Sequence, residues 1–443
     1  MHYFIDPFGC VKNQVDAETM MAYLNNAGWK NVSDAETADL IIINSCGFIE
    51  SAKQESINAV LEWRKLYPAK KILLAGCLSQ RYANELPDIL TEADTFMGVE
   101  NLGLIVEKAG AVLTADSGGV PHITNSLPIG ERPLLSLPGS AYVKISEGCN
   151  NNCSYCAIPL IRGGLVCREI SDIADECRAL LGRGVLELNI IGQDIGGFEK
   201  LPELLNRISE IEGDFWVRLL YIHPNHFPLE ILNLLEKDKR FLPYFDIPFQ
   251  HASAKILSAM NRNSKDVPKG KTQAEKYLEL IKTIRTRLPD AVIRSTFLLG
   301  FPGEDEKDFN ELLEFQQKAE LDWLGCFVYS REEGTASYSM KKRVAAKTAE
   351  ARKQTIEERQ ISITEKNLKR FIGQTLNVLI EEKIDAPENG EDIWLGRLYC
   401  QAPDIDGAAV VVGANDGGLQ LGSFAKCKVI ARRGFDLEVH HYR

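Results

Sequence analysis

Short apolar runs recur along this chain about one βα unit apart, and that alternation constrains the fold more than any other feature of the sequence. Over residues 1–116 the runs fall at 2–6, 39–44, 71–75 and 94–98, with helix-like stretches such as 16–27 and 51–65 between them. The pattern predicts an open α/β domain on a mostly parallel sheet. Residues 117–140 are rich in Gly, Pro, Ser and Thr and read as a linker, bounded here at 117–134. From 142 to 329 the alternation resumes, with runs at 141–145, 186–191, 216–221, 244–247, 291–299 and 325–329. These predict a βα barrel, closed or partial, within a domain spanning 135–366. A polar helix over 345–370 follows. Residues 367–443 change character, with β-rich runs at 376–379, 408–412 and 426–431 and glycines at turn positions. They read as a small, separate all-β barrel of a kind that binds RNA or protein. No internal repeat or low-complexity segment interrupts this order.

No apolar run approaches the ~18 residues of a membrane span, so no membrane association is expected. The N-terminus, Met1-His2-Tyr3-Phe4-Ile5-Asp6, reads as a first strand rather than a signal peptide, and a cytoplasmic location is expected. The formal net charge of −11 argues against a protein built chiefly to grip nucleic-acid phosphate, while leaving room for a local basic surface. Eleven cysteines is an odd number without an export signal. Metal or redox chemistry is therefore the better reading than a disulfide framework.

Two groups of cysteines stand out. Glu147-Gly148-Cys149-Asn150-Asn151-Asn152-Cys153-Ser154-Tyr155-Cys156 places Cys-x3-Cys-x2-Cys directly after a predicted strand. Three thiolates on a four-iron cubane leave one iron open. S-adenosylmethionine can chelate that iron through its amino and carboxylate groups, and one electron from the cluster then yields a 5′-deoxyadenosyl radical. The alternatives are a structural zinc loop or three unrelated buried thiols. Zinc sites usually want a fourth ligand and paired spacing, and His223, His226 and His251 are distant in sequence.

Cys10, Cys46 and Cys77 are far apart, yet each follows the carboxyl end of a predicted strand, where ligands collect in open α/β sheets. Three thiols delivered to one sheet edge predict a second cluster, again with an open iron. Any one of them alone would read as a small buried residue. The other five, Cys167, Cys177, Cys326, Cys400 and Cys427, show no such grouping and read as structural. Cys167 follows the loop of the first triad.

The first triad resembles that of radical S-adenosylmethionine enzymes, and Ser295-Thr296-Phe297-Leu298-Leu299-Gly300-Phe301-Pro302-Gly303-Glu304 resembles their strand-and-glycine motif. With an N-terminal three-cysteine domain and a β tail, essentially the whole chain resembles the radical S-adenosylmethionine methylthiotransferases, the tail being TRAM-like. The resemblance implies replacement of an unactivated C–H by C–S–CH3. Cys149, Cys153 and Cys156 would hold the radical-generating [4Fe-4S] cluster, and Cys10, Cys46 and Cys77 an auxiliary one for sulfur insertion. S-adenosylmethionine would supply both radical and methyl group. Tyr155, Gln193, Gly300 and Gly303 would lie at the cofactor. Gln193 and Asp194 read equally well as structural caps of a strand. An electron donor such as a flavodoxin or ferredoxin is implied.

Within that family, Gly9-Cys10-Val11-Lys12-Asn13-Gln14-Val15-Asp16, Asn44-Ser45-Cys46-Gly47-Phe48-Ile49-Glu50, Cys153-Ser154-Tyr155-Cys156-Ala157-Ile158-Pro159-Leu160-Ile161-Arg162-Gly163, Asp246-Ile247-Pro248-Phe249-Gln250-His251 and Ala402-Pro403-Asp404-Ile405-Asp406-Gly407 are similar to the branch that modifies an aspartate of small-subunit ribosomal protein twelve. The tail from Phe371 holds eleven acidic residues against seven Lys and Arg, which suits a basic protein substrate. Residues 336–370 hold ten Lys and Arg against four Glu, a solvated helix face or a contact for ribosomal RNA. Val166, Cys167 and Glu169 depart from the family pattern in the loop after the triad. The rival readings are a tRNA methylthiotransferase acting beside the anticodon and a non-enzymatic iron–sulfur carrier or scaffold.

Overall fold

The computed structural model describes residues 1–113, 130–263, 267, 269–384, 393–412 and 418–441. Most of the expected linker, 117–129, lies outside them. Two compact units emerge. The first comprises Met1–Leu135, Ser146–Arg168 and Ser330–Tyr338; the second comprises Ser136–Ile145, Glu169–Tyr329 and Ser339–Arg443.

The first unit is built on β1 (His2–Pro7), β2 (Lys30–Asn31), β3 (Leu40–Ser45), β4 (Lys71–Gly76) and β5 (Thr95–Met97), all parallel in the order β2-β1-β3-β4-β5. Its helices include α1 (Val11–Asn26), α2 (Glu50–Leu66), α3 (Cys77–Arg81), α4 (Leu86–Ile89) and α5 (Ile105–Leu113). Alternate residues of the strands serve opposite faces. Leu40, Ile42 and Leu73 pack with Met20 and Leu24 of α1 and with Ile105 and Ala109 of α5. Ile41, Ile43, Ile72 and Leu74 pack with Ala59 and Val60 of α2. Covering both faces explains why all six residues of β3 are buried. The strand order reverses between β1 and β3, which opens a crevice at their carboxyl ends.

The chain then runs through β6 (Ser140–Lys144) and a short antiparallel hairpin, β7 (Ser146–Glu147) with β8 (Val166–Cys167), that encloses α6 (Ile158–Arg162). In the second unit β6 is joined by β9 (Glu187–Ile191), β10 (Trp216–Leu219), β11 (Phe241–Asp246), β12 (Val292–Leu299) and β13 (Trp323–Val328). Each strand pairs in parallel with its predecessor, giving a six-stranded open sheet, so the barrel is partial rather than closed. A long helix, Ala346–Leu368, precedes a closed five-stranded barrel of β14 (Thr375–Ile384), β15 (Ile393–Arg397), β16 (Ala409–Val412), β17 (Phe424–Arg433) and β18 (Asp436–His441).

The expectation of a separate tail needs correcting, because buried polar bonds weld this barrel to the parallel sheet. Glu187 on β9 is fully buried between two guanidiniums, accepting from Arg218 at 2.9 Å and from both terminal nitrogens of Arg397 on β15. Arg218 also donates to the Tyr399 carbonyl at 2.8 Å, Tyr244 to Asp406 at 2.6 Å and Trp323 Nε1 to the Cys400 carbonyl at 2.8 Å. Removing the tail would leave Glu187, Arg218 and Tyr244 without these partners.

Candidate functional site

The crevice of the first unit receives three cysteines. Cys10 is the N-cap of α1, Cys46 follows β3, and Cys77 opens α3 directly after β4. Three glycines let their loops touch. A Cβ on Gly9 would stand 3.1 Å from Cys46 Cβ, one on Gly47 2.7 Å from the Cys77 carbonyl, and one on Gly76 2.6 Å from the Ser45 carbonyl. Gly76 also has φ +98°, a conformation that side chains disfavour.

Asn13 of α1 ties the loops together. Its amide donates to the carbonyls of Phe8 (3.1 Å) and Ser45 (2.9 Å), and its carbonyl oxygen accepts from the Cys77 thiol at 3.3 Å. Asn44 donates back to the Asn13 carbonyl at 2.6 Å. The thiols sense one another electrically. Burial pushes Cys46 up, the Phe48 amide offsets part of that, and Cys10 adds to it. Burial pushes Cys77 up to about 12, with Arg162 pulling it back and Cys10 pushing it up further.

The second triad lies in the loop enclosed by β7 and β8. Gly148, at φ +69°, has no room for a side chain: a Cβ would lie 2.1 Å from the Gly164 carbonyl. The Cys149 amide donates to the Gly163 carbonyl at 3.2 Å and the Cys156 amide to Cys153 at 3.0 Å, so the loop folds back on itself. Cys149, Cys153, Cys156 and Tyr155 are all half-buried. No disulfide forms; Cys177, Cys326, Cys400 and Cys427 are buried and Cys167 is exposed on β8.

Both triads offer the thiol donors that iron–sulfur clusters take, on loops whose glycines permit close approach. Among the described residues, no three His, Cys, Asp or Glu side chains already converge on one point as an ion-binding group. A cubane needs no such convergence, since each thiolate holds a different iron.

In the second unit, Gln193 and Asp194 follow β9, while Gly300 and Gly303 follow β12, at strand ends where ligands gather. Gly300 and Gly303 have φ of +74° and +90°. Buried Glu304 holds the turn by accepting from the Gly300 amide at 2.8 Å, and Arg352 clamps Glu304 at 2.8 Å. Asp194 accepts from the Gly196 and His223 amides, each at 3.0 Å, and meets His226 Nδ1 at 2.8 Å. These bonds brace the turn that follows β9.

Sequence motifs alone assign no role to several residues around these cysteines. Asn13, Asp16 and Arg162 surround Cys77, and Arg81 donates to the Gly47 carbonyl at 2.8 Å while pairing with buried Glu332 at 2.7 Å. The position of Asn13 and Asp16, three and six residues after Cys10, was the available signal.

Comparison with known proteins completes this picture. Uncharacterized protein family UPF0004 matches residues 2–98, the Radical SAM superfamily 143–315 and the TRAM domain 372–440. A radical S-adenosylmethionine methyltransferase, TsrM from Kitasatospora setae, shares the fold, with a TM-score of 0.57 at 15% identity over 87% of this chain and 79% of that one. Fold and site thus define a radical SAM enzyme with a C-terminal TRAM barrel. The ribosomal protein uS12 methylthiotransferase RimO of Treponema denticola is 47% identical, covering 98% of this chain and 99% of its own. That of Syntrophomonas wolfei is 39% identical, with 97% of each chain covered. The chain belongs to the ribosomal protein uS12 methylthiotransferase RimO family.

Proposed function

We propose that the chain is a radical S-adenosylmethionine methylthiotransferase whose substrate is ribosomal protein uS12, modified at the β-carbon of an aspartate. The observation that carries the substrate is identity of 47% along 98% of the chain to a uS12 methylthiotransferase. The acidic character of residues from Phe371 onward supports a basic protein partner.

Cys149, Cys153 and Cys156 would hold one [4Fe-4S] cluster, and Cys10, Cys46 and Cys77 a second. When bound, these groups and S-adenosylmethionine supply the electron, the hydrogen-abstracting radical, the sulfur and the methyl group. The protein's own part is positional. Asn13 holds the three N-terminal cysteine loops in one crevice, and Gly148 closes the radical loop. Glu304 and Arg352 hold the Gly300–Gly303 turn, which with Gln193 would bind S-adenosylmethionine. A flavodoxin or ferredoxin would deliver electrons. The exposed basic side chains of Lys341, Lys342, Arg343 and Lys347 would meet ribosomal RNA, with the reaction in the cytoplasm. No helix among the described residues is long and apolar enough to cross a membrane.

The test offers uS12 and anticodon-loop tRNA together to the reduced enzyme with labelled S-adenosylmethionine. A gain of about 46 Da, from replacement of H by SCH3, is expected on a uS12 aspartate. Modification of the tRNA alone would assign the chain to the other branch.

A further inference from the structure

Arg162 is the last residue of α6, six positions after Cys156, and its side chain is only 2% exposed. A buried guanidinium needs charged partners, and this one has two carboxylates. Its Nη2 donates to Asp16 Oδ2 at 2.8 Å and its Nη1 to Glu147 Oε1 at 2.8 Å. Those two contacts alone would make a structural ion pair. The same Nη2 also donates to Asn13 Oδ1 at 2.7 Å and to the Cys77 sulfur at 3.2 Å. Glu147 lies two residues before Cys149, so one guanidinium spans the root of the radical loop and the most buried thiol of the other triad.

We propose that Arg162 is a positioning residue that sets the reduction potential of the cluster held by Cys10, Cys46 and Cys77, by keeping a cationic hydrogen-bond donor on the Cys77 sulfur. This inference rests on the assignment of that cluster above. Cluster potentials follow net charge and hydrogen bonds to sulfur. The reduced cluster carries one more negative charge than the oxidised one, so a fixed cation stabilises it and raises the potential. Asp16, at the same nitrogen, partly neutralises the cation and acts in the opposite sense.

The experiment uses full-length chain carrying Cys149→Ala, Cys153→Ala and Cys156→Ala, so that only the N-terminal cluster reports. Its one-electron reduction by dithionite is followed by EPR against potential. Arg162→Gln should lower the reduced-to-oxidised ratio at fixed potential at least tenfold, a shift of about 59 mV to more negative values. Arg162→Lys, which keeps the charge but not the fork, should recover at least half of it. Asp16→Asn leaves Arg162 in place and should shift the potential the other way, so it decides the matter even if Arg162→Gln fails to load iron. Asp16→Asn with no shift, or with a shift to more negative values, overturns the proposal. A loaded Arg162→Gln chain at the parent potential does the same. Failure of the underlying assignment looks different: the triple-Ala parent would itself bind no cluster.

Discussion

Replacing Glu187 by Gln tests how firmly the TRAM barrel is built into the parallel sheet. Glu187 is fully buried and answers Arg218 and Arg397 at once, with the Ser140 hydroxyl adding a bond at 2.9 Å. The amide keeps the volume and removes the charge. Arg397 retains Glu381, while Arg218 keeps only a carbonyl and the face of Tyr244. Breaking a buried pair in this way costs about 3–5 kcal/mol. For a unit of this size that corresponds to a fall in Tm of roughly 6–10 °C. Trp216, its ring tilted against Phe424 at 4.6 Å between centroids, and Trp323, bonded to the Cys400 carbonyl, make tryptophan fluorescence the natural readout of the melt. The pH dependence supplies a second check. Burial raises the Glu187 carboxyl, but Arg397 and Arg218 outweigh it and bring it down to about 2. A depressed carboxylate stabilises the fold above its unfolded value of about 4.5 and loses that effect as pH falls toward 2. The gap between wild type and Glu187→Gln should therefore be constant from about pH 5 to 8 and narrow in acid. A Tm difference below about 2 °C at neutral pH would refute the reasoning.

Anaerobically reconstituted wild type should bind about eight irons, and Cys149→Ala, Cys153→Ala and Cys156→Ala together should remove half and abolish 5′-deoxyadenosine formation, measured by chromatography. Replacing Cys10, Cys46 and Cys77 by Ala should spare that product and stop methylthiolation, read by mass spectrometry. Gly76→Ala puts a Cβ 2.6 Å from the Ser45 carbonyl at φ +98°, so it should displace Cys77 and lose the N-terminal half of the iron while 5′-deoxyadenosine formation persists. Burial lifts Asp406 to about 6 despite Arg294. Its native state therefore takes up a proton between about pH 4 and 6 that the unfolded chain does not, and its contribution falls by about 3 kcal/mol as pH rises through that window. Asp406→Asn should gain on wild type over the same interval in thermal melts.

Much of this architecture is legible because the ends of apolar runs mark the ends of strands. The readings 39–44 and 71–75 for Leu40–Ser45 and Lys71–Gly76 therefore placed Cys46 and Cys77 at the sheet edge. α1 begins at Val11 rather than 16, since Cys10 caps it without any side-chain bond and leaves no typical start signal. β15 was missed because Gly396 sits in it; the strand tolerates glycine there since a Cβ would lie 2.2 Å from the Leu379 carbonyl. The supporting charges stayed hidden for a different reason. Arg162 and Asp16 are 146 residues apart, and Glu187 and Arg397 are 210 apart. Nothing in local periodicity pairs residues at such distances.

Glu332 has a consequence for the order in which the protein is made. It lies past the last strand of the parallel sheet, yet it pairs with Arg81 and Lys53, and Arg81 in turn braces the loop of Cys46 through the Gly47 carbonyl. The ribosome must add a further 251 residues after Arg81 before that partner exists. At about 5–20 residues per second this takes roughly 10–50 s. Throughout that interval the nascent N-terminal sheet carries its thiols on a loop still missing its brace. Iron delivered during synthesis would meet an unfinished crevice, whereas a released chain presents a complete one.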